Sequence, residues 1–163
     1  MKKIYTMVAI ILINFIFQTS LYKFVSFFGV VPNISLILLV IFSMMTNGVV
    51  GGFLGLLTGL FYDMMLQEVF GIYTLVYFVI GALIGSFSEE LNRENYMLYG
   101  TATLLSTIFM HLSIFIILFF LKYRISSSYY ILGKIVLEIV LNTVLSFFIL
   151  KLIVRIFAKI NFK

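Results

Sequence analysis

Six long apolar runs, separated by short polar clusters, organise this chain. A helix needs about 20 mainly apolar residues to cross about 30 Å of hydrocarbon, and the runs approach that length. The pattern therefore predicts an all-α integral membrane bundle of about six transmembrane helices, in one domain that covers residues 1–163. The predicted spans are Ile4–Tyr22, Pro32–Asn47, Gly48–Leu66, Ile72–Phe87, Tyr96–Leu121 and Tyr129–Lys159.

Helix-spaced glycines occupy the third and fourth runs. Gly51, Gly55 and Gly59 recur every four residues, and Gly81 and Gly85 repeat the spacing. Positions four residues apart lie on one ridge of a helix. In a membrane, small residues on such a ridge let another backbone approach closely. We expect these five glycines to form a helix-packing interface.

Composition also indicates a membrane protein. Hydrophobic residues make up 63% of the chain and charged residues 10%, which is more apolar surface than a soluble domain of this size uses. Cysteine is absent, which excludes disulfides and thiolate metal sites. The net charge of +5 favours contact with anionic lipid over contact with nucleic acid.

Lysine and arginine predict the orientation of the chain. With the N-terminus in the cytoplasm, seven of these residues lie on the inner side and four on the outer side, so we expect both termini to be cytoplasmic. The inner residues are Lys2, Lys3, Arg93, Lys151, Arg155, Lys159 and Lys163, and the outer ones are Lys23, Lys122, Arg124 and Lys134.

The last run ends in a basic segment. Lys151, Arg155, Lys159 and Lys163 recur every fourth residue, and a helix from Tyr129 to Lys159 would be about 45 Å long. This excess length predicts a basic amphipathic C-terminal helix extension at the headgroups. Two roles stay open for the extension: an anchor in anionic lipid, and a docking site for a cytoplasmic partner.

Polar residues inside apolar spans usually face the interior of a bundle. Asn14 and Gln18 lie one turn apart in the first run, where hydrogen bonds between helices are the expected role. Asp63 continues the glycine row near the outer end of the third run. It is either a solvated carboxylate at a helix end or a hydrogen-bonded acid that fixes the turn into the fourth helix.

His111 and Glu138 are predicted to form a pair. They lie ten and nine residues from the predicted helix ends that flank their shared loop, so both are about 14 Å below the outer surface. A lone charge at that depth is costly, and pairing offsets the cost. Thr107 and Asn142, one turn further in, would extend the contact. A structural pair is the favoured role, and a proton relay or ligand site is the alternative.

Enzyme signatures in the sequence are weak. Glu89, Glu90 and Arg93 are similar to the paired-glutamate motif of intramembrane prenyl-protein proteases, but the arginine is one residue too close and the histidine motifs are missing. One histidine and no cysteine leave little for a metal site, and no nucleotide-binding glycine loop is present. The residues therefore predict no enzymatic activity, no metal and no cofactor.

The segment from Pro32 to Gly71 resembles the MreD family, small membrane proteins of the bacterial rod-shape system. The residues that carry the resemblance are Pro32, Asn33, Gly51, Gly52, Phe53, Leu54, Gly55, Gly59, Asp63 and Gly71. One departure is residues 67–70, where the family has small residues. The resemblance implies a scaffold in the inner membrane that works with MreC, the MreB cytoskeleton and peptidoglycan elongation synthases, and it is compatible with an oligomer.

The alternative is the substrate-binding subunit of an energy-coupling-factor vitamin transporter. Such subunits also have six spans and a similar length, and Tyr62, Asp63 and Tyr73 would line a vitamin pocket near the outer face. They dock on their transport module through small residues in the first helix, where this chain has only Ala9. The sequence therefore favours the scaffold.

Overall fold

Six α-helices form the described part of the protein, a computed structural model that describes residues 2–21, 29–66, 69–88, 95–122 and 129–161. The helices are α1 (Lys2–Leu21), α2 (Ile34–Met44), α3 (Gly48–Leu66), α4 (Ile72–Phe87), α5 (Tyr96–Phe120) and α6 (Tyr129–Asn161). The predicted all-α fold is confirmed, and the helix boundaries lie within a few residues of the predicted ones.

Three helices, α3, α5 and α6, are long and apolar enough to cross a membrane, judged on the described residues. The other three contribute shorter apolar stretches of 10–17 residues, so six membrane-spanning helices are not confirmed. The shortest helix, α2, has 11 residues. Its length is about 16 Å at 1.5 Å per residue, roughly half the thickness of the hydrocarbon core.

Helix α2 lies at the centre of the bundle and contacts each of the other five helices. Every residue from Ser35 to Met44 is buried. A helix that is apolar on all sides is stable only when neighbours surround it. The central position of α2 therefore follows from its sequence, which has no polar face to present to the surface.

Two antiparallel pairs flank α2. The first pair, α3 and α4, meets at very close range along the glycine rows. The second pair, α5 and α6, keeps large apolar side chains on its outward faces, among them Leu105, Phe109 and Phe148. In a lipid bilayer such faces meet acyl chains, which explains why the outward residues are apolar.

Candidate functional site

The N-terminus of α2 lies inside the bundle, where its free backbone donors need partners. The first N–H groups of a helix have no acceptor within the helix, and the hydrocarbon core supplies no water to replace one. Asn33 N donates to Asn142 Oδ1 at 2.8 Å, and Ser35 N donates to Gln18 Oε1 at 3.2 Å. Leu36 N donates to the Asn33 side chain at 3.0 Å. Gln18 from α1 and Asn142 from α6 therefore supply hydrogen-bond acceptors at the start of α2, in addition to the N-cap Asn33.

Asn14 and Gln18 bind Ser35 from the side of α1. Asn14 Nδ2 donates to Ser35 Oγ at 2.8 Å, and Ser35 Oγ donates to Gln18 Oε1 at 2.6 Å. Asn14 Nδ2 also lies 3.2 Å from Gln18 Oε1. All three side chains are buried. The cluster joins α1 to α2 by polar contacts in a region that is otherwise apolar.

Asn142 and Asn33 connect α6, α2, α4 and α5. Asn33 Nδ2 donates to the Tyr77 hydroxyl at 2.7 Å, and that hydroxyl lies 3.7 Å from Met110 Sδ. Asn142 Nδ2 donates to Thr107 Oγ1 at 3.4 Å. Helices α1, α4, α5 and α6 thus converge on the start of α2. We define the polar core as the side chains of Asn14, Gln18, Asn33, Ser35, Tyr77, Thr107, Met110 and Asn142.

Asp63 caps the N-terminus of α4. Its carboxylate accepts hydrogen bonds from Gly71 N at 3.0 Å, Tyr73 N at 3.0 Å and Thr74 N at 2.9 Å. It also accepts one from Thr74 Oγ1 at 2.5 Å. The side chain is buried, so this carboxylate is not a solvated group at a helix end. The arrangement is that of an acid that fixes the turn into α4, where Gly71 has a φ of +101° that favours glycine.

Three tyrosines pack against one another beside Asp63. The ring centroids of Tyr62 and Tyr73 are 4.7 Å apart, those of Tyr62 and Tyr77 are 5.7 Å apart, and those of Tyr73 and Tyr77 are 5.9 Å apart. These are contact distances for aromatic pairs. Tyr62 and Tyr73 are therefore in contact with each other, and Asp63 binds the backbone at the start of α4.

His111 and Glu138 meet between α5 and α6. His111 Nε2 lies 3.1 Å from Glu138 Oε2, and the side chains are 23% and 17% exposed. The Nε2 atom makes no aligned hydrogen bond, so the contact is a close pairing of a base and an acid without ideal geometry. Asn142 follows Glu138 by one turn and Thr107 precedes His111 by one turn, which places the pair beside the polar core.

The glycine rows of α3 and α4 face each other. A methyl group on Gly51 would overlap the Gly81 carbonyl, and one on Gly55 would overlap the Tyr77 carbonyl. The corresponding atom on Gly59 would lie 2.5 Å from Thr74 Cα, and the one on Gly85 would lie 2.5 Å from Asn47 O. Backbone therefore packs directly on backbone, within one chain.

The basic residues of α6 lie on its outward side. Lys151, Arg155 and Lys159 are exposed, and Lys163 lies outside the described residues. The opposite side of the same segment packs into the bundle, where the Phe157 ring lies 6.4 Å from the ring of Phe42 on α2, edge to face. The end of α6 is thus held against the bundle.

Three members of the polar core, Ser35, Tyr77 and Met110, were not predicted from the sequence, and Asn33 was named only as a residue that carries the family resemblance. A signal for Asn33 exists, because asparagine at the start of an apolar run is a preferred N-cap. A signal for Tyr77 also exists, because it lies inside an apolar run instead of at its end, and a buried tyrosine hydroxyl usually finds a partner. Neither signal reveals which helices supply the partners.

A comparison with known families matches residues 1–156 of the chain to the family of the rod shape-determining protein MreD. No match is found among the curated proteins or among the solved structures. The matched residues include the glycine rows, Asp63, the polar core and most of α6. The chain therefore belongs to the MreD family.

Proposed function

We propose that this chain is a non-enzymatic membrane scaffold of the cell-wall elongation machinery. In this role it links MreC, the MreB cytoskeleton and peptidoglycan synthases. The observation that carries the proposal is the family match over residues 1–156. Family membership gives a role in rod shape determination, and the individual partners are those that the family resemblance implies.

The use of the polar residues supports a scaffold. Asp63, Gln18 and Asn142 accept hydrogen bonds from backbone N–H groups at helix starts. Groups engaged in this way hold helices in place and are not free to act on a substrate. A rigid bundle is what a protein needs in order to present fixed surfaces to several partners.

We further propose that the protein lies in the inner membrane with both termini in the cytoplasm. The basic side of α6 would then face the inner leaflet and the cytoplasm, as the excess of positive charge on that side favours. A reporter that is active only outside the cytoplasm should be silent when it is fused after Lys163 and active when it is fused at Ser127. The reverse pattern would contradict this orientation.

Depletion tests the proposed function. When the protein is depleted from the bacterium that encodes it, rod-shaped cells should become round, and a plasmid copy of the chain should restore the rods. Cell width and length, measured by microscopy, report the result. Rods that persist without the protein would contradict a role in shape.

A further inference from the structure

The register of α5 and α6 locates the basic residues of α6 relative to the start of α5. A methyl group on Gly100 of α5 would lie 2.6 Å from the ring of Phe147 on α6, so the two helices touch there. Because the helices are antiparallel, Lys151 lies level with Tyr96, the first residue of α5. Helix α6 then continues beyond α5 without interruption to Asn161.

The spacing along α6 separates the three exposed cations by depth. Four residues correspond to about 6 Å of rise, so Arg155 lies about 6 Å beyond Lys151 and Lys159 about 12 Å beyond it. The headgroup layer is about 5–7 Å thick on each side of the hydrocarbon core. With the inner boundary of the hydrocarbon placed at Tyr96, where α5 begins, Lys151 and Arg155 bracket this layer, and Lys159 lies past it.

An apolar row leads along α6 to these cations. Val144, Phe148 and Leu152 recur every four residues and are 51%, 68% and 57% exposed. The end of α6 does not turn away to lie flat on the membrane, because Ile153 and Phe157 are buried against the bundle. Along the outward side of α6, from the bundle toward its C-terminal end, exposed apolar side chains are followed by exposed cations. The acyl chain and the phosphate of a phospholipid follow each other in the same order.

We propose that Lys151 and Arg155 bind the phosphate of an anionic phospholipid whose acyl chain lies along Val144, Phe148 and Leu152. The guanidinium of Arg155 suits a phosphate because it donates two parallel hydrogen bonds. A protein partner in the cytoplasm would not account for the exposed apolar row, which begins at Val144, before Lys151, and ends at Leu152, before Arg155. The assignment to the inner leaflet rests on the orientation given under the proposed function.

Thermal unfolding of the purified full-length protein tests the site. The protein is placed in nanodiscs of phosphatidylcholine with increasing fractions of phosphatidylglycerol, and the unfolding temperature is followed. For the wild type the temperature should rise with phosphatidylglycerol, and added salt should reduce the rise. Lys151→Gln and Arg155→Gln should each raise the half-saturating fraction about fivefold, from about 1 kcal/mol per cation near the surface.

Lys159→Gln is the matched control, since it removes the same charge from the same face of α6 but from beyond the headgroup layer. It should keep the wild-type response, and Arg155→Lys, which keeps the charge, should keep most of it. If Arg155→Gln does not fold, Lys151→Gln and the salt titration decide the question. An equal effect of all three glutamine variants, or no response of the wild type to phosphatidylglycerol, would overturn the proposal.

The experiments can contradict the lipid-site proposal and the scaffold proposal independently. Nanodiscs have the same lipid in both leaflets, so the unfolding result does not depend on orientation or on a partner. Unchanged unfolding temperatures together with loss of MreC recovery for Lys151→Gln would assign the face to a protein and overturn the lipid proposal. Rods that persist without the protein, together with an intact lipid response of the purified chain, would instead count against the scaffold.

Discussion

At the scale of single residues, the buried polar side chains of this protein complete helices that start inside the bundle. Asn142 and Gln18 accept hydrogen bonds from backbone N–H groups at the start of α2. Asp63 accepts hydrogen bonds from backbone N–H groups at the start of α4. In water a solvent molecule would replace a lost acceptor. In hydrocarbon no water is available to do so. Removal of an acceptor would therefore leave a buried N–H group unsatisfied, and the penalty thus avoided is the acceptor's contribution to stability.

Asn142→Leu should therefore destabilise the protein more than Thr107→Val does. The first change leaves Asn33 N without its acceptor at 2.8 Å, and an unsatisfied buried donor costs about 1–3 kcal/mol. The second removes the 3.4 Å contact with Asn142 and the hydroxyl's bond to the Thr103 carbonyl, but it leaves no backbone N–H without an acceptor. We expect it to cost about 0.5 kcal/mol, near the average for membrane hydrogen bonds. Unfolding by sodium dodecyl sulfate in mixed micelles measures both, and equal losses would contradict the assigned role of Asn142.

His111 and Glu138 should show coupled effects on stability. His111→Leu leaves an ionisable acid without its partner at a partly buried position, and removal of one member of such a pair is destabilising. Glu138→Gln should partly rescue that loss because the amide carries no charge. The coupling energy is expected to be about 0.6 kcal/mol or more. A double-mutant cycle in the same micelles checks it, and strictly additive losses would count against the contact.

The spacing of residues predicts some of these contacts but not others. His111 and Glu138 lie at matching distances from one loop, so the sequence alone places them at one depth, and they lie 3.1 Å apart. The bond between Asn33 and Asn142 joins residues 109 positions apart. It depends on where the short helix α2 starts within the bundle, which no local pattern specifies.

At the scale of secondary-structure elements, the glycines of α3 and α4 determine how close two helices come. The four-residue spacing predicts a close-packing ridge, but it does not say which helix occupies the ridge. The structure places α4 there, with its own Gly81 facing Gly51. The two rows therefore hold a hairpin of one chain together, in addition to any role they have toward another protein.

Two glycine-to-alanine changes separate packing from helix propensity. Gly55→Ala places a methyl group against the Tyr77 carbonyl, whereas Gly133→Ala on α6 places it in open space. Overpacking typically costs about 1–3 kcal/mol, while alanine is favoured over glycine by about 1 kcal/mol in an exposed helix. Gly55→Ala should lower the unfolding free energy and Gly133→Ala should not. Equal tolerance of both changes would mean that the ridge does not pack.

The positions of the helices were predictable because apolar runs and polar breaks mark them. Which helices are long enough to span the membrane was not predictable. The run that begins at Pro32 was interpreted as a full span. The helix proper starts only at Ile34 and ends at Met44, because Asn33 caps it at one end and the chain turns directly into Gly48 at the other. A short central helix and a membrane-spanning helix are both hydrophobic, so hydropathy alone does not distinguish them.

At the scale of the whole molecule, family membership and architecture lead to the same account. A match over residues 1–156 gives the role in rod shape, and a helical bundle with its polar groups committed to helix ends suits a protein that positions others. The central claim is therefore physical association with other rod-shape proteins.

Recovery of MreC with the affinity-tagged chain from mild-detergent extracts tests that claim most directly. The wild type and Gly133→Ala should recover MreC in similar amounts, and Gly55→Leu, which forces α3 away from α4, should recover at least about tenfold less, as expected for a loss above about 1.4 kcal/mol. Stoichiometric MreC with the wild type is the result that we predict. A wild-type protein that is folded, intact and consistently free of MreC would contradict the account.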